Sequence, residues 1–157
     1  MDGSSFLKLV RNTNPVRKDD KEASSVLIVD DSHLNVIAMN NVVNLFDIYP
    51  DLASDGLEAI ELVKQRLKSN QPMYKMMLID YCMPHMDAPN TVLLIKKILK
   101  ESNVQEQPHI CCVTSYNQKE FKIRSKEVGM DDFLLKPLEK LEIEVQLRKA
   151  GILARSN

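Results

Sequence analysis

The sequence predicts an α/β fold, a doubly wound, five-stranded parallel sheet in a single domain. Two observations lead to this class. Short, continuous apolar runs typical of strands buried on both faces recur along the chain, and segments whose apolar residues have helical spacing alternate with them. Such alternation is typical of a parallel sheet, because right-handed crossovers place helices on both of its faces.

The apolar runs predict where the strands lie. In chain order they occupy residues 26–29, 48–53, 76–79, 110–113 and 133–135. The second run contains Pro50, which has no N–H to donate to a neighbouring strand and therefore suits only an edge of the sheet. An edge position for the second strand favours the order 2-1-3-4-5, which is that of the flavodoxin-like folds.

Polar capping residues predict where two helices begin. Ser32 can cap the helix after the first strand, and Asp55 with Glu58 resembles a capping box for the next one. Helical spacing predicts which faces of these helices, and of the last one, are buried. The residues predicted to be buried are Leu34, Ile37, Ala38, Val42, Leu45 and Phe46, then Leu57, Ile60, Val63 and Leu67, and finally Leu141, Val145 and Leu147.

Composition predicts the domain boundaries. Residues 1–24 are mostly polar and charged, and we predict that they form a flexible tail or linker. Residues 25–150 contain every strand–helix unit and are predicted to form the domain, followed by a C-terminal tail over 151–157. The length of 157 residues suits one domain of ordinary size.

Charge and residue counts exclude several function classes. The net charge is −1, which gives no electrostatic attraction to nucleic acid. No apolar run reaches about 18 residues, so no membrane segment is predicted. Only four glycines occur, too few for a glycine-rich phosphate or dinucleotide loop. Three cysteines without a secretion signal predict a cytoplasmic location.

Polar residues follow four of the predicted strands at the point where each strand ends. They are Asp30 and Asp31, then Asp80, Thr114 and Lys136. Because ligands bind outside the carboxyl ends of the strands in such a sheet, we expect these side chains to share one site. Three close carboxylates repel one another, and Mg²⁺ relieves that repulsion because it prefers oxygen ligands. A carboxylate can also act as a nucleophile and form an aspartyl-phosphate, which a lysine and a metal would stabilise.

Four separated segments, in this order, resemble the response-regulator receiver family. They are VLIVDDSHLN at 26–35, MMLIDYCMPHMDA at 76–88, VTS at 113–115 and GMDDFLLKPL at 129–138. The resemblance covers about residues 25–149. It implies a phospho-accepting domain of a two-component or phosphorelay system, which is not itself an enzyme. The implied partner is a histidine kinase or a histidine phosphotransfer protein.

The resemblance also implies the metal ligands. Asp80 would be the phospho-acceptor and a ligand of Mg²⁺, and Asp30 with Asp31 would be the acidic pair of the metal site. We expect Asp31 to hold the ion directly and Asp30 to act mainly through water. The main-chain carbonyl of Cys82 would complete the site.

The same resemblance implies the residues that respond to phosphorylation. Lys136 would bind the phosphoryl group, Thr114 would be the switch hydroxyl and Phe133 the switch aromatic. Asn35 and the MPHMD segment are most similar to receivers attached to hybrid histidine kinases. The chain therefore suits either a stand-alone regulator or a fragment of a hybrid kinase.

Two other functions compete with this interpretation. A haloacid-dehalogenase type of phosphohydrolase needs a second acid two places after its nucleophile at the first strand, and Ser32 stands there. A degenerate receiver that only binds proteins should have lost the acceptor or the lysine, and both Asp80 and Lys136 are present.

Overall fold

The computed structural model describes residues 3–13 and 22–155. Five parallel strands form one sheet in the order β2-β1-β3-β4-β5. The strands are β1 Val26–Val29, β2 Asp51–Ala53, β3 Met76–Asp80, β4 His109–Thr114 and β5 Asp132–Leu135. The predicted fold class and strand order are confirmed, including the edge position of the strand beside Pro50.

Six helices are present in the described part of the chain. They are α1 Gly3–Thr13, α2 His33–Asn44, α3 Gly56–Lys68, α4 Ala88–Glu101, α5 Lys119–Glu127 and α6 Lys140–Lys149. Side-chain caps fix where three of them begin, because Ser32, Asp55 and Asp87 each accept a hydrogen bond from a backbone N–H of the first turn. None of the helices in the described ranges is long and apolar enough to cross a bilayer.

The register of the sheet brings the ends of the strands into line. Val29 of β1 lies opposite Ile79 of β3, and the next residue of β3, Asp80, lies opposite Val113 of β4. Thr114 in turn pairs with Leu135 of β5. Since these strands are parallel and buried, the residues that end them emerge together at one edge of the sheet.

The N-terminal segment predicted to be a flexible tail contains a packed helix instead. Leu7 of α1 is only 1% exposed and, with Val10, joins the apolar cluster on the face of the sheet that α2 and α6 cover. The prediction failed because a polar average over 1–24 hid Phe6, Leu7 and Val10, whose spacing gives a short helix one apolar face. Residues 14–21 of the predicted tail lie outside the described residues.

The predicted apolar faces of three helices were partly wrong. Leu34 of α2 is 79% exposed and Leu141 of α6 is 71% exposed; Leu45, Leu57 and Val145 are also exposed. Ile60, Val63 and Leu147 are buried as predicted, and the core also contains Val36, Met39 and Val43 from α2, Ala59 from α3 and Ile143 from α6. Apolar residues occur on more than one side of α2 and α6, so spacing alone did not identify the side that faces the sheet.

An ion pair between the buried Arg66 and the partly exposed Asp51 anchors the edge strand β2. Arg66 Nη2 donates to Asp51 Oδ2 at 2.9 Å, and the Tyr74 hydroxyl donates to the same oxygen at 2.8 Å. The guanidinium also donates from Nη1 to the Pro72 carbonyl at 2.8 Å and lies 3.5 Å from the centroid of the Tyr74 ring. Burial and the Asp51 charge raise the pKa of the Tyr74 hydroxyl, which therefore stays protonated as a donor.

Replacing Asp51 with asparagine should lower the free energy of unfolding by about 2 kcal/mol. The charge of Arg66 would stay buried without its carboxylate, a defect that costs about 3–5 kcal/mol in fully buried pairs. The expected loss is smaller here because the Asp51 side chain is 29% exposed. Urea unfolding measures the loss, and Glu101→Gln, in the exposed pair with Lys97, is the control, with about 0.5 kcal/mol or less. Equal stability losses in the two variants would contradict the anchoring role.

Candidate phosphorylation site

Three carboxylates meet at the carboxyl edge of the sheet. Oxygen atoms of Asp30, Asp31 and Asp80 all lie within 4.8 Å of one another. Asp30 and Asp31 follow β1, and Asp80 ends the central strand β3. Asp30 and Asp80 are buried, whereas Asp31 is exposed. One carboxylate therefore faces solvent while two lie at the bottom of the site.

Lys136 joins the two buried carboxylates. Its Nζ lies 2.5 Å from Asp30 Oδ2 and 2.7 Å from Asp80 Oδ1. Burial alone would lower the pKa of this lysine, but its hydrogen bonds to both carboxylates outweigh burial and raise the pKa. The ammonium is therefore charged at neutral pH and is positioned where a phosphoryl group on Asp80 would carry negative charge.

The first turn of α2 holds Asp30 from the other side. Asp30 Oδ1 accepts from the backbone N–H of Ser32 at 2.8 Å and from Asn35 Nδ2 at 3.4 Å. The sequence analysis treated Ser32 only as a helix cap and missed this second contact. The spacing was the available signal. Ser32 and Asn35 come two and five places after Asp30, at the start of a helix, and residues at such positions can donate hydrogen bonds back to the acid.

The environment of Asp80 disfavours its charge. Burial raises the pKa of Asp80 to about 6, and the nearby charge of Asp30 acts in the same direction, although the hydrogen bond from Lys136 opposes both. Asp80 is therefore ionised at pH 7, but its charged form is less favourable than that of an exposed aspartate. A bound cation would offset this unfavourable negative charge.

The donor set fits a hard divalent cation. Three carboxylates and one ammonium leave an excess of two negative charges at the site, and the facing donor atoms are oxygens. Mg²⁺ selects such oxygen ligands and accepts water or phosphate in its remaining positions. Asp31 and Asp80 could hold it. Both oxygens of Asp30 accept hydrogen bonds from Lys136, Ser32 and Asn35, whereas the hydrogen bonds of the described residues engage only Oδ1 of Asp80. Cys82 lies in the loop after Asp80 with its side chain exposed.

The two residues predicted to switch lie on the neighbouring strands β4 and β5. Thr114, at the end of β4, is buried, and its Oγ1 accepts a hydrogen bond from the backbone N–H of Tyr116 at 3.1 Å. Phe133, on β5, is half-buried against the apolar cluster that α3, α4 and α5 cover, with Lys122 Nζ 5.5 Å from its ring centroid. Phe133 pairs with Cys112, two residues before Thr114, so the hydroxyl and the aromatic ring lie on adjacent strands.

A groove of about 300 Å³ opens next to Lys136, between α2 and the loop after β5. Its lining is mostly apolar and includes Ala38, Met39, Val42, Pro137 and Leu138. Sequence analysis could not find this groove, because its two walls are about 100 residues apart in the chain. The groove therefore forms an apolar surface beside Lys136, on the side of the site where α2 lies.

Comparison with known proteins links this site to one family. The family model for the response regulator receiver domain matches residues 26–148. Hybrid signal transduction histidine kinase B of Dictyostelium discoideum is 28% identical over 136 residues, which cover 82% of this chain and 7% of that protein. The two-component response regulator ORR5 of Oryza sativa subsp. japonica is 29% identical over 121 residues, or 77% of this chain and 84% of the regulator.

Solved structures share the fold at lower identity. The receiver domain of the putative response regulator NarL from Mycobacterium tuberculosis has a TM-score of 0.67 and 23% identity, and the match covers 85% of this chain and 99% of that one. The match in the complex of Ypd1 with the Ssk1 receiver domain from Saccharomyces cerevisiae has a TM-score of 0.67 and 22% identity, over 80% and 87% of the two chains. The receiver domain of sensor histidine kinase PA1611 from Pseudomonas aeruginosa, solved with magnesium in its active-site cleft, has a TM-score of 0.67 and 20% identity, over 82% and 98%.

Proposed function

The chain belongs to the response regulator receiver domain family, and we propose that it accepts a phosphoryl group on Asp80 from a phosphohistidine donor, with Mg²⁺ as the cofactor. The observation that carries this proposal is the cluster of three carboxylates within 4.8 Å of one another, two of them bridged by Lys136. A purely structural ion pair needs one acid for one base, and this site has two more carboxylates than ammonium groups.

The transfer is a displacement at phosphorus. An oxygen of Asp80 forms the new bond to phosphorus, the bond from phosphorus to the donor's histidine nitrogen breaks, and the electron pair of that bond stays on the nitrogen. Lys136, already 2.7 Å from Asp80 Oδ1, binds a phosphoryl oxygen as charge moves onto the group. Asp31, Asp80 and the main-chain carbonyl of Cys82 would hold Mg²⁺, with Asp30 acting mainly through water, and the ion would supply further positive charge to the phosphoryl oxygens.

The product stays on the protein, so the domain acts as an acceptor and not as an enzyme with turnover. A phosphohydrolase of the haloacid-dehalogenase type would need a general acid where Ser32 stands, and the Ser32 hydroxyl caps α2. A degenerate receiver would lack the contact between acceptor and lysine that Asp80 and Lys136 make. Both alternatives are therefore poorer fits to the site.

The proposed donor is a histidine phosphotransfer protein or a histidine kinase. The apolar groove beside Lys136 would receive part of the donor's surface, next to the acceptor. The match to the receiver in the Ypd1–Ssk1 complex supports this class of partner. The chain spans 7% of the length of the hybrid kinase but 84% of the length of the plant regulator, and either setting supplies such a donor. The cytoplasmic location and the lack of a nucleic-acid partner stay predictions.

Incubation of the purified chain with a phosphorylated histidine phosphotransfer protein and Mg²⁺ tests the proposal. We expect one phosphoryl group on the chain, stable in acid and labile in base, as an acyl phosphate should be. Intact-protein mass spectrometry counts the groups, and EDTA is the control that should prevent transfer. No retained phosphate would favour a degenerate receiver, and continuous release of inorganic phosphate without retained label would favour a hydrolase.

Replacing Thr114 with alanine should separate phosphorylation from the conformational response. Phosphate adds about −1.5 to −2 charges and strong acceptor oxygens, and we expect the Thr114 hydroxyl to move from the Tyr116 N–H towards them. Phe133 would then fill the vacated space. Thr114→Ala should accept phosphate, yet lose most of the NMR shift changes around Phe133, whereas Thr114→Ser, which keeps the hydroxyl, should retain them. Wild-type shifts in phosphorylated Thr114→Ala would contradict the coupling.

A further inference from the structure

Helix α1 lies outside the family model, which begins at residue 26, yet it is part of the packed fold. Leu7 and Val10 are buried in the same apolar cluster as Val36 and Val43 of α2. A helix that only tethered the chain would not need a buried face.

The aromatic ring of Phe6 links α1 to the start of α2. It stacks on the ring of His33, with 3.8 Å between ring centroids and 13° between ring planes. His33 is the first residue of α2 and comes two places after Asp31, the exposed carboxylate of the phosphorylation site. Phe6 thus packs beside the loop that contains Asp30 and Asp31, which we call the acidic loop.

The contacts continue from His33 to the carboxylates. The residue before it, Ser32, donates its backbone N–H to Asp30 Oδ1 at 2.8 Å, and Asn35 on the next part of the turn donates to the same oxygen at 3.4 Å. Asp30 then accepts from Lys136, which also contacts Asp80. These contacts connect the first turn of α2 to Asp30 and, through Lys136, to the acceptor, and Asp31 is the residue between Asp30 and Ser32.

We propose that α1 is a positioning element for the acidic loop, and that its packing on α2 through the Phe6–His33 stack is coupled to cation binding at the phosphorylation site. This inference rests on the proposed function in taking Mg²⁺ as the ion of that site. Coupling between two sites is reciprocal, so Mg²⁺ should strengthen the packing of α1 by the same factor by which packed α1 strengthens Mg²⁺ binding. Because α1 lies outside the family model, the coupling would be an addition made by this chain.

Calorimetric titration with Mg²⁺ tests one direction of the coupling. Phe6→Ala should weaken Mg²⁺ binding about fivefold, the lower end of the usual range for coupled sites. Phe6→Leu, which keeps an apolar side chain and so protects folding, should weaken it in the same direction, and Phe6→Tyr, which keeps the ring, should bind like wild type. Leu9→Ala, at an exposed position of the same helix, and Val63→Ala, in the core on the opposite face of the sheet, are controls that should bind normally.

Hydrogen exchange on the intact chain tests the other direction. Mg²⁺ should slow amide exchange over residues 3–13 in the wild type, and less so in Phe6→Leu. Unchanged Mg²⁺ affinity in both Phe6→Ala and Phe6→Leu would overturn the inference, and so would an equal loss in Val63→Ala, which would mean general destabilisation. If the wild type binds Mg²⁺ and takes up phosphate but the Phe6 variants have unchanged Mg²⁺ affinity, only this inference is wrong. A wild type that does neither would remove the proposed function as well.

Discussion

Replacement of Asp80 by asparagine should abolish phosphoryl labelling of the chain. The amide oxygen of asparagine is a far weaker nucleophile than a carboxylate and cannot form the acyl phosphate. Asp80 is the expected acceptor because the hydrogen bonds of the described residues engage both oxygens of Asp30 but only Oδ1 of Asp80. Asp31 is exposed and better placed as a metal ligand.

The label should be followed by intact-protein mass spectrometry with a phosphohistidine donor and Mg²⁺, and the modified residue by peptide mapping. Asp30→Asn is the matched control, since it changes the neighbouring buried carboxylate and should slow labelling without moving it from Asp80. Labelling of Asp80→Asn at the wild-type level would show that another residue is the acceptor.

A stability measurement distinguishes the loss of the phospho-acceptor from a loss of folding. Asp80 lies in a buried site beside two other carboxylates, where burial and the charge of Asp30 disfavour ionisation. Because the pKa of Asp80 is raised in the fold, its charge destabilises the metal-free protein above about pH 6. Neutral asparagine removes that cost while Lys136 keeps its partner Asp30. In urea without Mg²⁺ at pH 7.5, the variant should therefore unfold at the same or a higher concentration than the wild type.

The positions of the strand-end residues could be predicted from sequence because two simple rules apply there. Buried parallel strands have continuous apolar runs, and the first polar residue after each run lies at the edge where ligands bind. Asp30, Asp80, Thr114 and Lys136 are all such residues, and the register of the sheet brings them together. The position of β2 followed from Pro50 for an equally local reason.

Features that depend on tertiary packing could not be predicted in this way. The exposed positions of Leu34 and Leu141 depend on how α2 and α6 rotate on the sheet, and apolar residues on several sides of a helix leave that rotation open. The stack of Phe6 on His33 joins a residue inside the segment that was predicted to be a flexible tail or linker to the first residue of α2. The apolar groove beside Lys136 likewise depends on two distant parts of the chain.

Replacement of Asp31 by alanine should weaken Mg²⁺ binding at least about tenfold, which corresponds to about 1.4 kcal/mol of binding free energy. Asp31 is the one carboxylate of the cluster that is exposed, and it has no part in the Lys136 bridge. Its removal therefore takes away a ligand and one of the site's negative charges while the buried ion pairs stay in place. Phosphorylation should fall with it at low Mg²⁺ concentration.

The Mg²⁺ dependence of labelling distinguishes a metal ligand from a residue needed for folding. If Asp31 acts through the ion, raising the Mg²⁺ concentration should restore much of the labelling rate of Asp31→Ala, whereas Asp80→Asn should stay unlabelled at any concentration. Glu61→Ala, which removes an exposed carboxylate from α3, is the control and should match the wild type. Transfer that proceeds equally well in EDTA, or an Asp31→Ala variant with wild-type affinity for Mg²⁺, would rule out the metal site. The first result would leave Lys136 as the cation that offsets charge on the phosphoryl group, and the second would move the ion to a different set of oxygens.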